Sequence, residues 1–396
     1  MMNGLFYIGI SLLFVISYCF ASDTITKPDA SIESGKDMET CYFPPPESEG
    51  GWRKLESPED IQRLAGMDPA KLDDLKQWLL GSDDRPFAAV VIRNGYIVLE
   101  VERERSAKTD TGDVKSCAKA ICATVLSIAS EESQKGNTPR KMTFDDPAFK
   151  YIPWAYPLSD PRKEQIKVKQ LLNHTSGITP ESSGVSNRGR WEYILGHSGD
   201  GRTAKLYFDP GTDLAYSTHA LYHAALVCEN VTGKPYDQFA IEYLLKPLGI
   251  EKWDFEVLEG DEQHGNHPSH ALGLPAREMA RIAYCMLRNG KWGDRQVIPQ
   301  WFVKETAATT HSVTGIKSFG NDAEYWSNGW ELPARLTDGR GRGIPADARF
   351  KPGSGGQLIG FVPSLDLVIT RQTGKSGDWE YEEYLRRACA AVKESQ

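Results

Sequence analysis

Apolar and polar positions follow three successive regimes along the chain. From residue 68 the spacing is helical: Asp68 stands as N-cap, Pro69 opens the first turn, Leu72, Leu75 and Leu79 share one face, and Gly81 stops it. Residues 87–92 and 96–101 are runs rich in β-branched and aromatic side chains on either side of Asn94-Gly95. That dipeptide suits a tight hairpin turn, so the runs are predicted to pair antiparallel. From about 116 to 300 the period becomes mainly helical between long polar loops, with helices expected at 118–129, 167–173, 220–232, 236–245 and 276–288. Strands return at 358–362 and 365–371 around Pro363, and 379–392 reads as a closing helix. The expected class is α/β in the α+β sense. An antiparallel sheet is built from both chain ends with flanking helices, and a mainly helical lobe spans about 130–300. No internal repeat is evident.

The first 21 residues carry no Lys, Arg, Asp, Glu or His, and residues 5–20 form a nearly continuous apolar run before Ala21-Ser22-Asp23. This has the shape of a secretory signal peptide (1–21), with Cys19 and Ala21 as the small residues near the cleavage point, although the segment before the run lacks a basic side chain. The run is also just long enough to serve as an uncleaved membrane anchor. Either way the body of the protein is expected outside the cytoplasm, periplasmic or secreted. Residues 22–50, rich in Ser, Thr, Pro and acidic residues and containing Pro44-Pro45-Pro46, read as a linker, leaving 51–396 as the folded domain.

Composition narrows the function classes. The chain has 396 residues, 40% hydrophobic and 25% charged, which is ordinary globular composition and excludes disorder and a multi-span membrane protein. With 46 basic and 54 acidic residues the formal charge is −8, so nucleic acid is not expected as the main partner. No obligate protein partner is expected either. Beyond Cys19 there are six widely spaced cysteines, Cys41, Cys117, Cys122, Cys228, Cys285 and Cys389. They form neither a disulfide scaffold nor a CxxC pattern, so mostly buried free thiols are expected, and neither a metal nor an organic cofactor.

Three stretches could carry chemistry. Ser116-Cys117-Ala118-Lys119 is the single S-x-x-K of the chain and falls at the start of a predicted helix. Positions i and i+3 are neighbours there, so the Lys119 amine can reach the Ser116 hydroxyl at the positive end of the helix dipole. A buried lysine beside a serine can activate it as a nucleophile; a plain helix start is the alternative. Tyr216-Ser217-Thr218 follows the turn Pro210-Gly211 and precedes an apolar helix. A tyrosine there can shuttle a proton near a cation, or simply cap the helix with its ring in the core. Lys351-Pro352-Gly353-Ser354-Gly355-Gly356 leads into a strand, and its glycines either let backbone N–H groups approach a ligand or form an ordinary turn.

In this order, with Leu171-Leu172-Asn173-His174-Thr175-Ser176-Gly177 between the first two and Val362-Pro363-Ser364-Leu365-Asp366-Leu367-Val368 near the end, the motifs resemble the serine β-lactamase/penicillin-binding-protein superfamily. The branch they are most similar to is the class C β-lactamase-like one, which includes esterases, D-amino-acid peptidases and nylon-oligomer hydrolases. The resemblance runs over roughly 52–394. It implies Ser116 as the acylated nucleophile, Lys119 as the lysine that takes part in its deprotonation, and Tyr216 as the tyrosine that exchanges protons with the nucleophile and the leaving group. It places Lys351 and Gly353 at the third motif, and the N–H groups of Ser116 and Ser354 at the oxyanion hole. His174 is implied as scaffold. Thr218 stands where the family often has Asn, and Pro352 lacks an N–H. A shifted register would put Ser354-Gly355-Gly356 in the third motif and leave Lys351 without a role. The function implied is an exported serine hydrolase acting on a small-molecule ester, amide or peptide through an acyl-serine. The alternatives are a β-lactamase or DD-peptidase, and a non-catalytic binding or sensor domain of the same fold. Specificity is expected from the loops 179–205 and 304–350, where Trp191, Tyr193, Trp326 and Trp330 are candidates to line a pocket or to pack in the core.

Overall fold

The structure, a computed structural model, describes residues 41–199, 201–333 and 342–393. The expected signal segment, and the expected linker as far as residue 40, lie outside the described residues. Helices α1 (Pro58–Ala65) and α2 (Pro69–Gly81) come first, followed by strands β1 (Phe87–Arg93) and β2 (Tyr96–Arg103). The Asp68 carboxylate accepts the N–H groups of Ala70 and Lys71, and Leu72, Leu75 and Leu79 are buried. The turn between the strands places both Asn94 and Gly95 at positive φ, +51° and +75°, the requirement that Asn-Gly meets most cheaply.

The middle of the chain holds α3 (Cys117–Gln134), α4 (Val168–Leu172), α5 (Trp191–Leu195), α6 (Thr218–Thr232) and α7 (Tyr236–Ala240). A hairpin of β3 (Asp254–Leu258) and β4 (His267–Gly273) leads to α8 (Ala276–Leu287), the small pair β5 (Lys291–Trp292) and β6 (Arg295–Gln296), and α9 (Gln300–Glu305). The chain closes with β7 (Trp326–Ser327), β8 (Trp330–Glu331), β9 (Arg349–Gly353), β10 (Gln357–Val362), β11 (Leu367–Gln372) and α10 (Tyr381–Ala390). The main sheet is antiparallel with order β2-β1-β11-β10-β9-β8-β7, so the first hairpin and the last strands are joined directly, Val90 opposite Thr370. The expected mixed fold, with a sheet assembled from both chain ends, is the one observed.

Both faces of this sheet are covered. Ala88, Val90 and Ile92 point into a core shared with Leu126 of α3, Leu226 of α6 and Ile282 of α8. Phe87, Ala89 and Val91 point into a second core with Leu72, Leu75 and Leu385. Burial on alternate sides explains why β1 reads as an unbroken apolar run.

Several expectations need correction. Residues 41–50 are not linker. The fully buried Arg281 donates to the carbonyls of Pro44 and Pro45 at 3.0 and 2.6 Å, and the buried Glu47 pairs with Arg277 at 3.0 Å. The proline run exposes carbonyl oxygens that a buried guanidinium needs, so a segment of linker-like composition becomes part of the body. The closing helix begins at Tyr381 rather than 379, because the Trp379 ring is held under Arg371 at 3.8 Å and its indole N–H donates to Ser82. Helix 276–288 packs on β10 and β11 rather than within a separate lobe. Trp191 and Trp330 are fully buried core residues, and Tyr193 packs against the same core. Cys117, Cys122, Cys228, Cys285 and Cys389 are buried free thiols, while Cys41 is exposed.

Candidate active site

Ser116 is the N-cap of α3, but its hydroxyl makes no capping hydrogen bond. It is presented by a tight turn in which Lys115 adopts φ +52°, a left-handed conformation uncommon for a residue with a side chain. Asp113 holds that turn, accepting the Lys115 N–H at 2.7 Å and pairing with its ammonium at 2.6 Å. The Cys117 thiol, one residue on, donates to the Lys351 carbonyl and ties the helix start to β9.

One turn into α3, Lys119 points back toward the helix N-terminus, as long helical side chains do, and its Nζ lies 3.2 Å from Ser116 Oγ. Lys119 is only 3% exposed. Burial lowers its pKa to about 8, with the neighbouring Lys351 pushing the same way and Glu181, 3.8 Å away, opposing. Near neutral pH the amine is therefore far closer to losing its proton than an ordinary lysine.

Tyr216 completes the cluster. Its ring lies between two ammonium groups, 4.7 Å from Lys119 Nζ and 4.9 Å from Lys351 Nζ. Its backbone is fixed on both sides: the His174 carbonyl accepts the Ala215 N–H, and His174 Nδ1 accepts the Ser217 N–H at 3.1 Å. The His174 ring is buried behind Tyr216, with centroids 4.4 Å apart, and burial drives its pKa far below that of a free imidazole. It is placed as a neutral wedge that positions the tyrosine.

Strand β9 forms the opposite wall. Its register with β10, Lys351 opposite Ile359 and Gly353 opposite Gln357, brings Lys351 into the cleft. Ser354 and Gly356, the residues of the alternative alignment, line the same cleft. Lys351 Nζ pairs with Glu331 at 2.5 Å, both side chains almost wholly buried. A Cβ at position 353 would stand 2.8 Å from the Val114 carbonyl and 3.0 Å from the Ser116 nitrogen, so the strand passes the Ser116 turn at a distance only glycine permits. Ser354 Oγ accepts the Gly377 N–H at 3.0 Å, which anchors the neighbouring loop.

These walls enclose a cleft of about 300 Å³ lined by Ser116, Tyr216, Lys351, Gly353 and Ser354, with Trp326 beside them. Of the four candidate aromatic residues, Trp326 alone lines it. Thr218 does not line it; its hydroxyl donates to Glu181 instead. Sequence reasoning missed Glu181 and Glu331, the carboxylates that balance the two lysines. It also missed Tyr325, Trp379 and Tyr381, which line the cleft. Among the described residues, no group of three or more His, Cys, Asp or Glu side chains is gathered as metal ligands.

A serine beside a buried lysine, under a tyrosine and along a strand edge, on a sheet built from both chain ends, defines a serine β-lactamase type of protein. The Beta-lactamase family model matches residues 82–392, and the chain belongs to that family, within the serine β-lactamase/penicillin-binding-protein superfamily. It is 24% identical over 181 residues to Protein flp of Staphylococcus aureus, covering 44% of this chain and 34% of that protein. It is 31% identical over 117 residues to the D-alanyl-D-alanine-carboxypeptidase/endopeptidase AmpH of Escherichia coli, covering 27% and 29%. The chain thus spans about a third of the length of these curated relatives. A penicillin-binding protein homolog from Caulobacter crescentus shares the fold with a TM-score of 0.60 at 16% identity, over 82% of this chain and 97% of that one.

Proposed function

We propose that this chain is an exported serine hydrolase that cleaves an ester or amide through an acyl-Ser116 intermediate. The observation that carries the proposal is the 3.2 Å contact between Ser116 Oγ and the buried amine of Lys119 at the floor of an open cleft. In the first step Ser116 Oγ attacks the substrate carbonyl carbon and its proton passes to the neutral Lys119 amine. Tyr216 relays that proton to the departing alcohol or amine as the carbonyl–heteroatom bond breaks. The N–H groups of Ser116 and Ser354 stabilise the oxyanion. Water then attacks the acyl-serine by the same route in reverse, releasing the acid and restoring the hydroxyl. The apolar N-terminal segment supports placing this reaction outside the cytoplasm.

The test is a panel of short-chain esters, D-amino-acid amides and β-lactams, assayed with the wild-type protein. Turnover of an ester or amide is expected; absence of turnover across the panel contradicts the proposal. Two further outcomes follow from the geometry. Below about pH 8 Lys119 holds its proton and cannot accept one from Ser116, so kcat/KM should rise with pH and level off above about 8. A flat profile between pH 6 and 9 would remove Lys119 as the base. Gly353→Ala should cost roughly 10–100-fold in kcat by displacing the nucleophile's turn, read by steady-state hydrolysis. An unchanged kcat would show that the turn tolerates the extra carbon.

A further inference from the structure

We infer that the cleft selects acyl groups that carry no carboxylate, and that Glu331 sets this preference by neutralising Lys351. The inference rests on the serine hydrolase reading above.

Lys351 is the one cation among the described residues lining the cleft, and hence the group there that would draw in a substrate carboxylate. Its ammonium lies 2.5 Å from Glu331 Oε1, with the two side chains 2% and 1% exposed. At that separation the attraction Lys351 exerts on an incoming anion is largely cancelled by the repulsion from Glu331. The anion would still lose its hydration on entry, with no net charge to compensate. The second ammonium at the site, Lys119, is likewise balanced, by Glu181 at 3.8 Å. The exposed Asp378 at the rim adds a further negative charge.

The remaining walls suit an uncharged acyl group. Trp326, Tyr325, Trp379 and Tyr381 line the same cleft as Ser116. The Trp326 and Tyr216 rings each stand 4.9 Å from Lys351 Nζ, so the inner face of the ammonium is covered by aromatic surface. An apolar acyl chain buries area against these rings without disturbing the ion pair.

The test compares 4-nitrophenyl butyrate with mono-(4-nitrophenyl) succinate. The two share a leaving group, and the succinate carries a carboxylate at the end of its acyl chain. For the wild-type protein, kcat/KM should favour the butyrate by at least roughly 10-fold. In Glu331→Gln the Lys351 charge is unmasked, and the preference should shift toward the succinate by at least roughly 10-fold. Equal or faster hydrolysis of the succinate by the wild-type protein overturns the inference, as does an unchanged ratio in Glu331→Gln. The wild-type comparison needs no variant, so misfolding of Glu331→Gln leaves the inference open to refutation. If neither ester is turned over and a fluorophosphonate leaves Ser116 unlabelled, the hydrolase reading itself fails and takes this inference with it. Labelling of Ser116 together with a succinate preference overturns this inference alone.

Discussion

Ser116→Ala is expected to lower kcat by at least ~10⁴-fold while leaving the fold intact, the size of loss seen when a catalytic nucleophile is removed. The two halves of this expectation have separate grounds. The hydroxyl makes no capping bond to α3 and the residue is only half-buried; its removal costs the 3.2 Å hydrogen bond from the buried Lys119 amine, which keeps Glu181 at 3.8 Å. Stability should therefore stay within about 1 kcal/mol of wild type, as judged by urea denaturation. Lys119 Nζ donates to Ser116 Oγ at 3.2 Å, and the variant has no hydroxyl at that place for the amine to activate. Residual turnover within ~10-fold of wild type would mean that the chemistry lies elsewhere.

Lys119→Met should push activity and stability in opposite directions. Without the amine, Ser116 loses its proton acceptor and kcat/KM should fall by at least ~100-fold. The folded protein, in contrast, should gain roughly 1–3 kcal/mol at pH 7, measured by denaturation of both proteins. The sign follows from the direction of the shift: the folded-state value, about 8, lies below that of a free lysine, 10.5. The protonated form is thus disfavoured by folding, and the full penalty applies below pH 8. It fades between pH 8 and 10.5 as the amine loses its proton in both states, so the advantage of methionine should shrink with rising pH. Glu181, whose side chain is a third exposed, keeps access to water and the Thr218 hydroxyl when the amine is gone. A variant with near wild-type activity, or one markedly destabilised at pH 7, would contradict the role given to this lysine.

What could be read from the sequence was what depends on near neighbours. Ser116 and Lys119 meet because three residues on a helix are adjacent in space, and the β1–β2 hairpin follows from what Asn94-Gly95 demands of the backbone. The sheet's second half was legible at β10 and β11, which are long apolar runs, but not at β7 and β8, which have two residues each and show no alternation. The carboxylates that balance the lysines escaped for a different reason. Glu181 and Glu331 lie far along the chain from their partners, and ion pairing across such distances leaves no local periodic signature. Glu331 stands between Trp330 and Leu332, but the stretch Asn328-Gly329-Trp330-Glu331-Leu332-Pro333 is too short and mixed to mark a buried acid. The sequence left the alignment of the third motif open between Lys351 and Ser354; in the fold Lys351 lines the cleft and its amine pairs with Glu331. Trp191 and Trp330 show the opposite limit: composition alone does not distinguish an aromatic side chain in a cleft from one in the core.

The central claim is that Ser116 is an activated nucleophile, and it is tested most directly by intact-mass analysis after exposure to a fluorophosphonate probe. Wild-type protein and Ser116→Ala are treated side by side, and the labelled peptide is mapped. The account predicts a single adduct on the wild type, located at Ser116, and none on the variant. An equal adduct on both proteins, or none on a wild-type protein shown to be folded, would contradict it.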